Sequence, residues 1–297
     1  MLEKLCNIQS PASYEEKIIN FIIKETEDYI TSYYVDNFGN LVLKIDGQGD
    51  EKIIECGIDE PFLMACHYED GKQFFTAPPH FKAKDFLDKE IVSTEGTKVK
   101  VLNNSEDEEY GFSDLYAETE TEFGKLFSIC SGFCETEDKV FAENITYKIP
   151  VYVVISAIKE LKDCSRNITF LFSVHKNLAA RGVKAFFSLD RCGSVLSVSC
   201  SKEDDYIKCG KGAIVCVKEK SAFVSQKIKK NLIEIAEKEN IDFIPAIISE
   251  NLNLRAFITS GSGAESGLLC VPYNDKKEIL KNDIKKLIKL VISYCKQ

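Results

Sequence analysis

Histidine is nearly missing from this chain, with three in 297 residues: His67, His80 and His175. Few imidazoles are thus available, and a metal site is expected to recruit one of these three. Long apolar runs are absent too, none approaching the roughly 18–20 residues that span a membrane. The opening stretch, MLEKLCNIQSPASYEEK, has neither an apolar signal core nor a cleavage-site pattern. A cytoplasmic location is expected, with no membrane partner. Positive charge is in deficit: 38 Lys and Arg against 47 Asp and Glu leave a net charge of −9. That excess argues against nucleic acid, whose binding calls for clustered cations. There is no internal repeat and no low-complexity tract.

Cysteine, by contrast, is plentiful. Twelve are spread along the chain, and Cys56, Cys200, Cys216 and Cys270 sit in apolar strand-like surroundings. There they read as small buried hydrophobes. Cys130 and Cys134 form the closest pair. A structural zinc usually requires a second such pair, and none exists. Free thiols are expected.

Capping and periodicity outline the elements. Ser13-Tyr14-Glu15-Glu16 has the form of a capping box and predicts a helix starting near Ser13. Ile18, Ile19, Phe21, Ile22 and Ile23 give it a broad apolar face. Asp36-Asn37-Phe38-Gly39-Asn40 reads as a turn. Strands are expected over Leu41 to Ile45 and Lys52 to Gly57. From Phe62 to about Glu143 short strands alternate with charged segments, including an Asp70-Gly71 hairpin signal and an acidic loop from Asn103 to Glu109. After Asn144 helices and strands alternate: a helix with Pro150 near its start, a strand to Val174, a helix over Leu178–Leu189, a strand at Val195–Cys200. Strand Ala213–Val217, helix Val224–Glu239, strands Phe243–Ile248 and Leu268–Val271, and a helix from Lys277 to Tyr294 follow. This alternation predicts an α/β sheet covered by helices on both faces. Residues 1–61 and 144–297 are expected to form it, with 62–143 as an inserted β-rich domain.

Taken together, Asp36-Asn37-Phe38-Gly39-Asn40-Leu41, Asp59-Glu60 at a strand end, Gly210-Lys211-Gly212-Ala213 and Ser266-Gly267-Leu268-Leu269-Cys270-Val271-Pro272 carry a resemblance. In order and spacing the chain resembles the metallo-aminopeptidase family of glutamyl, deblocking and tetrahedral aminopeptidases, some of whose members are labelled cellulases or endoglucanases. The resemblance implies a zinc-aminopeptidase-like three-layer α/β sandwich with a small inserted β-barrel-like domain. It also implies two divalent metals, zinc or cobalt, that activate a water between them. In Thr169 to Val183, TFLFSVHKNLAARGV, the family frame delivers a glutamate base and a neighbouring ligand.

Here both carboxylates are gone. Lys176 stands at the base position and Asn177 at the ligand. Gly57 takes the place of the first metal histidine, Thr146 that of the bridging aspartate and Ser197 that of a further aspartate. No histidine follows Val271-Pro272, and Ser249 to Leu254 replaces the family's Gly-Thr-Asp-Ala loop. The surviving cleft residues are Asp59, Glu60, His175 and Arg181. Asp59, which in the family orients the histidine, is left with nothing to orient. Asp59 and Glu60 are candidates for an ion pair with Lys176 in place of the metals. His175 reads either as a polar strand-end residue or as lining of the vestigial cleft. His67, near Glu69 and Asp70, reads as a surface hairpin end or a separate metal ligand. Gly182 reads as a close strand-to-helix approach.

No metal or other cofactor is expected at this donor set. The leading expectation is a non-catalytic family relative that binds peptides, forms a homo-oligomer or associates with an active paralogue. The alternatives are an active metal-dependent aminopeptidase with relocated ligands, and a different chemistry based on Lys176 or a cysteine.

Overall fold

Buried alternating strands between Leu41 and Tyr273 build one large mixed sheet in the computed structural model, which describes residues 1–78, 81–105, 110–188, 193–220, 222–250 and 252–297. His80, residues 106–109 of the acidic loop, Asn251 and the expected helix end at Leu189 lie outside the described residues.

The order across the nine-stranded sheet is Ser32–Val35, Leu41–Ile45, Arg166–Ser173, Gln48–Gly57, Ser194–Lys202, Glu265–Tyr273 and Ala213–Glu219, with Ala222–Phe223 and Phe243–Ile248 both pairing with the last. The four central strands, from Arg166–Ser173 to Glu265–Tyr273, run parallel. Parallel neighbours need crossovers, and these are supplied by helices on the two faces. Helices Glu16–Thr26, Ile145–Glu160, Gln226–Lys238 and Lys281–Lys296 bury their apolar faces, with Ile54, Phe170, Val198 and Leu269, in the larger core. Helices Arg181–Phe187 and Leu254–Thr259 cover Ile53, Leu171 and Val195 on the opposite face. The three-layer reading is the observed one.

A second sheet of seven strands occupies Phe62 to Ile129, around a core of its own that includes Leu63, Phe75, Ile91 and Phe127. Its two outer strands, Lys98–Lys100 and Leu102–Asn103, are joined through Val101 alone, so the sheet curls into a nearly closed barrel. Asp70 and Gly71, both at positive φ, form the hairpin turn after Phe62–Glu69. Strands Cys134–Glu135 and Lys139–Phe141 pair instead with Glu278–Leu280 near the end of the chain.

Several local expectations are corrected. The first long helix begins at Glu16, and the capping box does not form. Ser13 sits at φ 74° and its hydroxyl is bonded to His175, so it is not available to the helix amides. The helix around Pro150 starts earlier, at Ile145. Pro150 lies in its interior, where it cannot donate to the Thr146 carbonyl. Residues 175–180 form a turn, with His175, Ala179 and Ala180 at positive φ, and the helix starts only at Arg181. The expected last helix yields its first turn to strand Glu278–Leu280. Helix Leu254–Thr259 and strand Ser32–Val35 had no legible pattern.

Candidate functional site

In open α/β sheets, ligands gather beyond the C-terminal ends of the parallel strands. Here those ends carry a polar stripe on the face shared with helix Arg181–Phe187. Strand alternation places Glu55 and Gly57 with Ile53, Ser173 with Leu171, and Ser197, Ser199 and Ser201 with Val195. The turn 175–180 closes over this stripe.

Asp59 fixes the turn. Its carboxylate accepts from the Lys176 amide at 2.6 Å, the Asn177 amide at 2.9 Å and the Asn177 side chain at 3.0 Å. The expectation that Asp59 has nothing to orient is thus overturned: it orients the loop that carries Lys176. Asn177 has its amide group committed to Asp59, both to the carboxylate and to the backbone carbonyl.

Lys176 lies across Gly57. A Cβ added at Gly57 would stand 2.5 Å from Lys176 Cδ and 2.8 Å from Lys176 Cβ. The lysine stem occupies the space a side chain at Gly57 would need. Its ammonium ends 3.2 Å from Ser199 Oγ.

The sequence reading proposed Asp59 or Glu60 as the partner of this ammonium, and the contacts differ. Asp59 is met through backbone amides. Glu60 is paired with Lys148 at 2.9 Å, both side chains essentially fully buried. Ser10 and Asn144 also donate to Glu60, and Lys148 donates to the Ile8 carbonyl and to Ser10. Nevertheless the Lys176 charge acts at longer range. Burial raises the pKa of Glu55, Asp59 and Glu219, and Lys176 is among the influences that lower each of them.

Glu55 was missed in the sequence, although a carboxylate inside the apolar run Ile53-Ile54-Glu55-Cys56 is an audible signal. It is wholly buried and accepts from Ser173 at 2.6 Å, Ser197 at 2.7 Å and Asn253 at 2.7 Å. Ser197 therefore serves Glu55. Glu219, also missed, accepts from the Leu252 and Leu254 amides at 2.8 and 2.9 Å. Two buried carboxylates thus hold the segment around Asn253, in the region where the resemblance expects a Gly-Thr-Asp-Ala loop.

Thr146 lines the cleft from the first turn of its helix. Arg181 is exposed, and its amide donates to the His175 carbonyl at 3.3 Å. Gly182 is a forced glycine, because a Cβ there would meet the Val174 carbonyl at 2.3 Å and Asn40 Oδ1 at 2.4 Å. Gly210 and Gly212 donate their amides to Asp283, so that segment holds an internal carboxylate.

His175 points away from Lys176, toward helix Glu16–Thr26. Its Nε2 is 3.2 Å from Ser13 Oγ and 3.9 Å from Glu15 Oε1, and Phe38 packs edge-on against the ring. A serine triad needs the acid on the nitrogen opposite the hydroxyl. Here both approach Nε2, while Nδ1 is buried without a hydrogen bond among the described residues. Burial, with Asp59 nearby, pushes Glu15 up to about 7, and burial lowers the pKa of His175. His67 stacks on Phe74 at 4.6 Å and touches Cys66, with no converging carboxylate cluster among the described residues.

The donor set does not fit two divalent metals. Glycine offers no ligand, Thr146 and Ser197 offer neutral hydroxyls, and Lys176 adds positive charge where cations would gather. Among the described residues no three His, Cys, Asp or Glu side chains converge on a point that could hold a metal ion. Thiol chemistry finds no activation at the neighbouring strand position, since burial pushes Cys200 up to about 12.

A three-layer α/β sandwich with a barrel-like second sheet, and a cleft at the parallel strand ends, defines the class of two-domain aminopeptidase-like proteins. The sequence profile of the M42 glutamyl aminopeptidases matches residues 109–290, and the chain belongs to that family. A relative from Acetivibrio thermocellus is 24% identical across 98% of this chain and 96% of its own. The aminopeptidase APDkam598 of Desulfurococcus kamchatkensis superposes with a TM-score of 0.92 at 13% identity, covering 100% of this chain and 93% of its own. The TET1 peptidase of Pyrococcus horikoshii, which assembles into a tetrahedron or a large octahedral shell, gives 0.87 at 20% identity, covering 99% and 98%.

Proposed function

We propose that this M42-family chain is a non-catalytic member, a binding or assembly protein that keeps the aminopeptidase scaffold without its two-metal chemistry. The observation that carries this reading is the Lys176 side chain lying over Gly57 with its ammonium on Ser199. One lysine occupies space where the resemblance expects a histidine, and brings positive charge among buried carboxylates that metals would otherwise neutralise. Asn177, Ser197 and Asp59 are each committed to protein partners.

Peptides are the proposed ligands. A homo-oligomer is the proposed assembly, by likeness to the TET1 peptidase, with an active paralogue as the other possible partner. The site is proposed to work in the cytoplasm; no described helix is long and apolar enough to cross a membrane.

Purification with zinc, cobalt or manganese present, followed by elemental analysis and assay on aminoacyl-p-nitroanilides, tests the reading. Less than one equivalent of metal and no turnover are expected. Two bound metals, or turnover that a chelator abolishes, would establish instead an active aminopeptidase with relocated ligands.

A further inference from the structure

The cleft in front of Lys176 encloses about 1350 Å³ between the large sheet and the barrel. Its charge runs against that of the chain. Nine Lys and Arg line it against five Asp and Glu, in a protein of net charge −9. Most of those carboxylates are already engaged: Glu60 by Lys148, Glu143 by Lys89 and Lys277, Asp275 by Lys202, and Glu250 by the Ser201 hydroxyl and the Lys202 amide. Only Asp85 remains. Lys82, Lys84, Lys176, Lys184, Arg255 and Lys276, by contrast, have no carboxylate within ion-pair distance among the described residues. They come from the barrel, the turn over Gly57, two helices and the turn before Glu278, and so surround the opening.

Lys176 sits at the floor. Its ammonium has three N–H groups, and among the described residues a single hydrogen bond, to Ser199, is formed. Buried carboxylates lie nearby, but Glu55, Asp59 and Glu219 each hold at least two donors from the protein already. The N–H groups that Lys176 leaves open among the described residues, with the rim cations around them, favour a carboxylate over the free ammonium of a peptide N-terminus. The walls between the cations are apolar, with Phe81, Phe86, Ile129, Leu252 and Tyr273. Alternating charge and apolar surface suits an extended peptide with both kinds of side chain, whereas an inorganic polyanion would leave the apolar walls uncovered.

We infer that the cleft binds acidic peptides through their carboxylates, with Lys176 at the floor and Lys82, Lys84, Lys184, Arg255 and Lys276 at the rim. This deepens the non-catalytic reading and rests on it for Lys176 being a binding group. The site reverses the polarity of peptide capture: a negative end is held where an amino end would be expected.

The test uses the full chain and an acetylated peptide, Glu-Leu-Glu-Leu-Glu, with a free C-terminal carboxylate. Two controls are its C-terminal amide and the corresponding Lys-Leu-Lys-Leu-Lys peptide, and binding is followed by calorimetry. The acidic peptide should bind, weaken about tenfold or more between 50 and 300 mM salt, and exceed the lysine peptide by at least about tenfold. Lys84→Glu combined with Lys276→Glu, both at exposed positions, should weaken it about tenfold or more. Lys176→Met should erase the difference between free carboxylate and amide. Equal binding of acidic and basic peptides, an unchanged affinity in the rim variant, or binding of tripolyphosphate but not of peptide would each overturn the inference. The blocked N-terminus keeps the probe from being an aminopeptidase substrate. Metal content and turnover on the same preparation therefore judge the non-catalytic reading separately.

Discussion

Glu15 is a residue whose ionisation should be visible in stability. It is buried beside His175, one of its oxygens has no hydrogen bond among the described residues, and burial raises its pKa from 4.5 to about 7. A carboxyl that holds its proton more tightly when folded makes the native state lose stability as pH rises from the unfolded value to the folded one. The loss should therefore accumulate between about pH 4.5 and 7 and be complete above that window. His175 works the other way, since its lowered pKa favours folding as pH rises through its range. Glu15→Gln should remove the Glu15 share, so that the variant gains on the wild type from pH 5 to pH 8 in urea unfolding. A constant difference across that range would show that Glu15 does not titrate there. At this scale the sequence was legible in part. Gly57, Thr146, Lys176, Asn177 and Ser197 were singled out in the sequence, and the structure places them around the ends of the parallel strands. Their partners could not be, because Ser13–His175, Glu60–Lys148 and Asn253–Glu55 join positions at least 88 residues apart in chain order.

Among elements, the turn 175–180 matters most for the cleft. It has little regular structure and three non-glycine residues at positive φ, each costing of order 1 kcal/mol or more. What holds it is Asp59, through two backbone amides and one side chain. Asp59→Asn would turn one acceptor into a donor facing a donor. A loss of about 2–3 kcal/mol is expected, with faster hydrogen exchange at the Lys176 and Asn177 amides. Unchanged exchange there would mean that the turn is held by other contacts. Helical periodicity ran the expected helix back to Leu178, whereas left-handed backbone at Ala179 and Ala180 delays it to Arg181. The same limitation hid the start of the Pro150 helix: proline suggested an N-terminal position, and packing against the larger core extended the helix by a turn and more on its N-terminal side.

At the scale of the whole molecule the architecture was the most legible feature. Alternation of strands and helices dictates a layered sheet, and short strands between Phe62 and Ile129 dictate a separate β unit. Strands Cys134–Glu135 and Lys139–Phe141 escaped because their partner lies near the other end of the chain. Several surfaces remain apolar on the outside. Phe223 and Ile247 are each 65% exposed on the last strands of the large sheet, beside a sheet edge with no further strand among the described residues. Edges of this kind pair or are covered. Light scattering should find the chain assembled, and Phe223→Asp with Ile247→Asp should lower the mass of the assembly. A monomeric wild type would remove the proposed assembly role.

The contact between Lys176 and Gly57 also bears on how the chain could change over generations. A side chain at Gly57 alone would collide with a lysine stem anchored by its own backbone to Asp59. A carboxylate at 176 alone would leave a hollow over Gly57 and add negative charge beside Glu55 and Asp59, with no cation to balance it. Each single replacement at this pair is thus worse than the pair as it stands, and only joint replacement avoids both costs. The two positions therefore constrain one another, and a change at either is expected to be tolerated only when the other changes with it.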